Sequence, residues 1–258
     1  MSLKILPLQK EKDYFKGEVN MTKKILLYSG GLDSWLISRL WNPDIKLYVD
    51  MQSKYSEKEI DNLKNNKEDF ELIKFPLGQW ERDDAIIPLR NLYLIMVACN
   101  HTNSEDIEIC IGATHGDRSL DQSLKFAKDA ENLMNYLYAP QHWIPNGKKV
   151  NVVMPYKDYT KTELLKEFIE KGGDIDEAFK QSFSCYTPIN GEPCWECKPC
   201  WRKVISFMLN GYKFDKEVKN KVRRIIEKEI EPEIIAGNYG RGKEDQEILD
   251  ALKLLREE

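Results

Sequence analysis

Two groups of residues in this sequence have types and spacing suited to chemistry. The first is Ser29-Gly30-Gly31-Leu32-Asp33-Ser34, which follows the apolar run Ile25-Leu26-Leu27-Tyr28 and opens a helix-like segment. At a strand-to-helix turn, successive backbone N–H groups and the positive end of the helix converge on an anion. The two glycines let the backbone approach phosphate oxygens with no Cβ in the way, and Ser29 and Ser34 add hydroxyl donors. Asp33 repels bare phosphate, so its expected task is to hold Mg²⁺ or to order the loop. No Gly-Lys-Ser/Thr follows and no G-x-G-x-x-G is present, which separates this turn from Walker-type loops and dinucleotide fingerprints. The plain alternative is an ordinary helix-capping turn.

The second group is Cys185-x8-Cys194-x2-Cys197-x2-Cys200. Two residues between cysteines let neighbouring thiolates reach one ion from a tight turn, and four soft ligands select Zn²⁺. With sulfur in all four positions there is no place for a catalytic water, so the expected site is structural. A redox C-x-x-C pair and an iron–sulfur cluster are the rivals. Cys99 and Cys110 stand apart in apolar surroundings and read as buried structural thiols. Of the three histidines, His115 precedes Asp117 in a turn where it could touch substrate. His101 reads as a solvated helix-end residue and His142 as loop packing. Neither a Ser–His–Asp order nor G-x-S-x-G occurs, which leaves hydrolase chemistry without support.

The elements that must position these residues alternate along the chain. Strands are expected at Ile25–Tyr28, Ile45–Val49, Glu71–Phe75, Ile107–Ile111 and Val150–Met154. Between and after them, helices are expected at Leu32–Leu40, Ser56–Lys64, Leu89–Asn100, Leu124–Leu137 and Thr162–Lys171. Strands separated by helix-length segments imply crossover connections, and hence a doubly wound parallel α/β sheet whose ligands sit beyond the carboxyl ends of the strands. Past Phe183 a Cys- and Pro-rich loop is expected, then a charged tail with surface helices over Asp215–Ile230 and Glu244–Leu255. The expected division is residues 21–180 for the α/β domain, 181–210 for a four-cysteine zinc subdomain and 211–258 for the helical tail. Lys16-Gly17-Glu18-Val19 back-translates to codons that can hold a purine-rich ribosome-binding sequence ahead of Met21, so residues 1–20 read as an extension before the native start.

The 258 residues are 41% apolar and 32% charged, enough for a core and against wholesale disorder. A formal charge of −4 argues against a protein whose main affinity for nucleic acid comes from neutralising phosphates. The most apolar run, Leu92 to Cys99, is too short to cross a bilayer, and a cytoplasmic location is expected.

The SGGLDS stretch resembles the pyrophosphate-binding loop of the N-type ATP pyrophosphatases (the PP-loop superfamily). Combined with Ser184-Cys185-Tyr186 and the Cys-x2-Cys-x2-Cys end, the sequence is similar to the 7-cyano-7-deazaguanine synthase family of queuosine biosynthesis. Ile87-Pro88-Leu89-Arg90-Asn91, Ile111-Gly112 with Asp117, Gln52 with Glu57, and Lys161-Thr162-Glu163 resemble family segments in the right order. The resemblance implies a Rossmann-like, adenine nucleotide alpha hydrolase-like fold with a C-terminal zinc-binding helical subdomain. It implies an ATP-dependent carbon–nitrogen ligase that adenylates 7-carboxy-7-deazaguanine, forms the amide with ammonia, and activates the amide with a second ATP to reach the nitrile. Ser29, Gly30, Gly31, Leu32, Asp33 and Ser34 would bind ATP, with Asp33, Arg90, Lys161 and Asp117 catalytic and Mg²⁺ present. Arg90 and Lys161 would place positive charge on the phosphates. A homodimer is implied as well.

The match thins in two segments expected near substrate. Asp117-Arg118-Ser119-Leu120-Asp121-Gln122-Ser123 lacks the family's Gly, Tyr and Pro, with Asp121 standing where an Asp belongs, and Asp50-Met51-Gln52 replaces Tyr-Gly-Gln. The C-terminus is longer than the family pattern, which fits a divergent, viral branch. The alternative function is therefore a PP-loop ligase that adenylates a different carboxylate or stops at the amide, for viral DNA modification. A tRNA thiolase and a non-enzymatic zinc-stabilised module are weaker rivals.

Overall fold

The computed structural model describes residues 22–102, 106–188 and 192–257. The extension expected over residues 1–20, and the start at Met21, lie outside the described residues. Five strands form one wholly parallel sheet: β1 (Lys23–Leu27), β2 (Ile45–Asp50), β3 (Glu71–Lys74), β4 (Ile107–Cys110) and β5 (Val150–Val153), in the order β3-β2-β1-β4-β5. The chain builds outward from β1 to β2 and β3, then crosses back to β4 and β5. The switch point thus falls between β1 and β4, beside the loop that follows β1.

Both faces of the sheet are covered, which is why the central strands are unbroken apolar runs. From β1, Ile25 and Leu27 join a core with Ile95 and Ala98 of α3 (Arg90–His101) and with Ala127 and Met134 of α4 (Leu124–Leu137). Leu26 points the other way, toward Trp35 and Leu36 of α1 (Leu32–Leu40), Leu63 of α2 (Ser56–Asn65) and Leu164 and Phe168 of α5 (Lys161–Glu170). A Cβ alternating across the pleat accounts for this split. Helix starts follow local chemistry. Ser123 accepts from the Phe126 amide ahead of α4, and Thr160 and Glu163 form a capping box on α5.

The expected loop past Phe183 is non-helical over its described residues up to Cys197, but from Cys197 to Cys200 it runs into a helix. After α6 (Ile175–Gln181), which Asp174 caps, α7 (Lys198–Leu209) begins at Cys197 with Pro199 in its first turn. The tail helices are not confined to the surface as expected. They comprise α8 (Lys216–Ile225), a π-helical turn (Ile226–Ile230), α9 (Glu231–Ile235) and α10 (Lys243–Glu257). Val218, Val222, Ile226, Ile248, Ala251, Leu252 and Leu255 form a third core with Trp201, Val204 and Ile205 of α7. An apolar stripe on otherwise charged helices is what allows this. No helix among the described residues is long and apolar enough to cross a membrane.

Candidate active site and cysteine cluster

The loop after β1 holds its shape by internal bonds. The Ser29 Oγ accepts from the Gly31 amide at 3.3 Å and lies 3.2 Å from Ser34 Oγ, which also reaches the Gly31 carbonyl at 3.2 Å. Gly30 has φ +72°, and a Cβ there would lie 2.5 Å from Leu63 Cδ2, so both its conformation and its space require glycine. Gly31 is the N-cap of α1 and has no side chain to cap it, which leaves the first-turn amides without a side-chain acceptor. This uncapped end faces a cavity of about 850 Å³ lined by Ser29, Gly31, Leu32, Asp33 and Ser34.

Asp33, Arg90, Asp117 and Lys161, from four separate elements, all line that same cavity. Lys161, the first residue of α5, forms an ion pair with Asp33 Oδ2, while the buried Asp33 Oδ1 has no hydrogen-bond partner. Asp117 Oδ2 accepts from the Thr114 amide at 2.8 Å, and Lys157 braces the turn from the Thr114 and Asp117 carbonyls. Burial pushes the Asp117 carboxyl up. The charge of Lys161, the Thr114 amide, and then Arg202 and Lys157 outweigh it and hold the group below the usual carboxylate range. Arg90 begins α3 directly after Leu89, whose φ of +60° is a strained left-handed conformation for a branched side chain. Among its charged neighbours is Glu59.

Several residues at the cavity were not singled out in the sequence. Glu59, not Glu57, faces it: Gln52 and Glu57 are both exposed and neither lines it. Burial raises the Glu59 carboxyl to about 7, against the opposing effect of the Tyr48 hydroxyl, which donates at 2.9 Å, and of Arg90. Tyr55 stacks on the same wall, at 4.6 Å between ring centres, with Tyr186, which the Ser184-Cys185-Tyr186 segment already marks. Lys198 and Arg202 also line the cavity, one turn apart on α7, and their shared face could not be read while this stretch was expected to be a loop. The Lys198 ammonium is pushed down to about 8, first by desolvation and then by Arg241, Arg202 and Arg118.

The remaining candidates fall elsewhere. Asp121 is not at the cavity; its carbonyl and carboxylate accept from Asn91 at the start of α3. His115 does not line the cavity either, and its ring packs against Gly242. His101 is the last residue of α3, as expected, but its ring pairs with Glu71 of β3 at 2.5 Å instead of standing free in solvent, and His142 is exposed rather than packed. Cys99 and Cys110 are buried, which pushes the Cys99 thiol up to about 12 and raises that of Cys110 further.

The Sγ atoms of Cys185, Cys194, Cys197 and Cys200 all lie within 4.8 Å of one another. Four thiolates at Zn–S distances of about 2.3 Å require sulfurs this close, so the residues fit a structural zinc ion. The Cys194 amide donates to Cys185 Sγ at 3.3 Å and the Cys197 amide to Cys194 Sγ at 3.2 Å. Just ahead of the cluster, Phe183 bridges to Gly31 and its amide donates to the Gly30 carbonyl at 2.8 Å. Lys203 anchors the same strap from the Phe179 and Ser182 carbonyls, both at 2.7 Å. The strap that leads into the cysteine cluster is therefore tied directly to the glycine loop.

Comparison with known proteins agrees with this arrangement. The chain is 25% identical over 248 residues to the 7-cyano-7-deazaguanine synthase of Sulfolobus acidocaldarius, covering 83% of this chain and 50% of that protein. It is 27% identical over 155 residues to 7-cyano-7-deazaguanine synthase 2 of Sulfurisphaera tokodaii, covering 58% and 31%. With the Psychromonas ingrahamii synthase it shares 27% over 134 residues, covering 50% and 54%. The chain thus spans about half the length, or less, of these curated relatives. Residues 76–211, from the strand-end segment before Arg90 through all four cysteines, match the queuosine biosynthesis protein QueC, and the chain belongs to that family.

Proposed function

We propose that this protein is an ATP-dependent ligase that converts 7-carboxy-7-deazaguanine and ammonia to 7-cyano-7-deazaguanine. The observation that carries the reading is the buried, unpartnered Asp33 Oδ1 beside the uncapped start of α1, in a cavity of about 850 Å³ large enough for a nucleotide and a flat heterocycle. Ser29, Gly30, Gly31, Leu32 and Ser34 would cradle the phosphates through backbone amides and hydroxyls. Lys161 and Arg90 would neutralise charge that builds as a substrate carboxylate oxygen attacks the α-phosphorus and pyrophosphate departs. Asp33 and Asp117 have the hard oxygen donors that suit Mg²⁺, which when bound would screen the phosphates from these carboxylates. Glu59, Tyr48 and the Tyr55–Tyr186 stack would receive the deazaguanine, whose ring offers N–H donors to a carboxylate and a face to aromatic side chains.

Ammonia then attacks the acyl carbon of the adenylate, AMP leaves and the amide forms. In the second cycle the amide oxygen attacks ATP, and loss of AMP with the two amide protons gives the nitrile. A homodimer working in the cytoplasm accompanies this proposal. The test is incubation of the zinc-loaded protein with 7-carboxy-7-deazaguanine, ATP, Mg²⁺ and ammonia, with products read by mass spectrometry. Nitrile with two AMP and two pyrophosphate per acid is expected. Amide with one AMP would overturn the nitrile step in favour of the shorter reaction, and no AMP from any deazaguanine acid would overturn the reading.

A further inference from the structure

The C-terminal segment reaches the cavity in a way that the phosphate loop does not explain. Arg241, between α9 and α10, is 8% exposed and lines the cavity. Its Nη1 donates to the Gly116 carbonyl at 2.7 Å and approaches Glu244 at 3.3 Å, but its Nε carries a buried proton with no acceptor. The hydroxyl of Tyr239, whose ring lies 5.7 Å from the Arg241 guanidinium, is likewise buried without a partner. Glu244 also serves Arg202, which donates to both of its oxygens at 2.6 Å, so one carboxylate is shared by two guanidiniums. Arg118 is tied to the same turn through the Tyr239 carbonyl at 2.8 Å. Lys198 completes the wall. Three of its strongest electrostatic neighbours are the cations Arg241, Arg202 and Arg118, and Glu244 opposes them.

Arg241 and Arg202, both largely buried, share the single carboxylate of Glu244 and have the exposed Arg118 and Lys198 beside them, and like charges so placed repel one another unless an anion joins them. Orphaned buried donors among them call for an acceptor with several oxygens. Arg202 also feels Asp33 and Asp117, which sets the cluster beside the loop after β1. We infer that Arg241 of the C-terminal segment, with Lys198 and Arg202 of α7, forms an anion subsite for a diphosphate group, either the β,γ end of a nucleoside triphosphate or the free pyrophosphate it releases. The tail is then part of the active site. Naming the anion rests on the proposed ligase activity; the cation wall itself does not.

The test is calorimetric titration of the zinc-loaded full-length protein with inorganic pyrophosphate, ATP and AMP separately, in the wild type and in Arg241→Gln and Lys198→Met. The lysine variant covers the case in which loss of the Arg241 bonds to Gly116 and Glu244 prevents folding. The expected result is at least tenfold weaker binding of pyrophosphate and ATP with AMP changed less than twofold. Unchanged pyrophosphate affinity, an equal loss for AMP, or a wild type that does not bind pyrophosphate at millimolar concentration would each overturn the subsite. A wild type that binds pyrophosphate but not ATP supports the subsite and removes the ligase reading. Variants that bind pyrophosphate as the wild type does, in a protein that still binds ATP, remove the subsite and spare the ligase.

Discussion

Replacing Gly30 with alanine tests how the loop is built, because two separable costs meet at that residue. The first is conformational: φ of +72° is left-handed, and an L side chain there costs about 1–2 kcal/mol. The second is steric. The new Cβ would stand 2.5 Å from Leu63 Cδ2, and Leu63 is 1% exposed, so it has little room to move aside. Overpacking of this kind costs about 1–3 kcal/mol. Together they predict a loss of about 2–5 kcal/mol, or roughly 5–15 °C in melting temperature for a chain of this size. Leu63→Ala alone should cost about 2–5 kcal/mol from its cavity. In the double variant the Cβ fills part of that space, so urea unfolding should give a favourable coupling of about 1–3 kcal/mol, while the left-handed cost remains. ATP affinity of Gly30→Ala should fall at least tenfold as the amides shift, with only partial recovery in the double variant. A Gly30→Ala protein that melts and binds ATP like the wild type, or a coupling of zero, would refute this account.

Other consequences follow from the same structure. Chelating the metal, or Cys194→Ala, should abolish stoichiometric zinc in elemental analysis, expose residues around the strap to protease, and weaken ATP binding even though the cysteines lie outside the glycine loop; intact ATP binding after complete zinc loss would contradict the mechanical link. The Glu59 carboxyl is raised to about 7 in the folded protein from its ordinary 4.5. The folded state therefore holds that proton more tightly, and the stability it contributes is full below about 4.5 and lost as pH rises to about 7. Glu59→Gln should thus be more stable than the wild type by about 1–3 kcal/mol at pH 8, with the difference vanishing near pH 4 in denaturant titrations. A difference that grows as pH falls would have the wrong sign.

What could be read in the sequence was local. The loop after β1 and its helix are contiguous, and Leu124–Leu137 follows directly on a serine cap, so both emerged from neighbouring residues alone. The cysteine spacing likewise announced a common ligand, since it needs only a tight turn. By contrast, α7 was hidden because its first turn, Lys198-Pro199-Cys200, has the composition of a metal-binding loop. Glu57 and Glu59 are two positions apart on α2, about 200° around the helix, so the choice between them depends on which face α2 turns to the sheet. Arg241 could not be assigned at all. Its partners, Gly116 and the α7 cations, come from distant stretches, and only the packing of the tail on α7 brings them together.

The strap from Phe183 to Gly30 also bears on the order of biosynthesis. The glycine turn leaves the ribosome early, but the residue that clasps it is more than half the chain away and comes just before the metal-binding cysteines. Such a long-range closure adds to contact order and slows folding. On the proposed reading, the nascent protein would carry an unfinished glycine loop while most of its sheet can already pair, and the loop would mature only after translation has passed the cysteines and a metal has been captured. Metal supply would then set how much of the newly made protein becomes competent, independently of how much is synthesised.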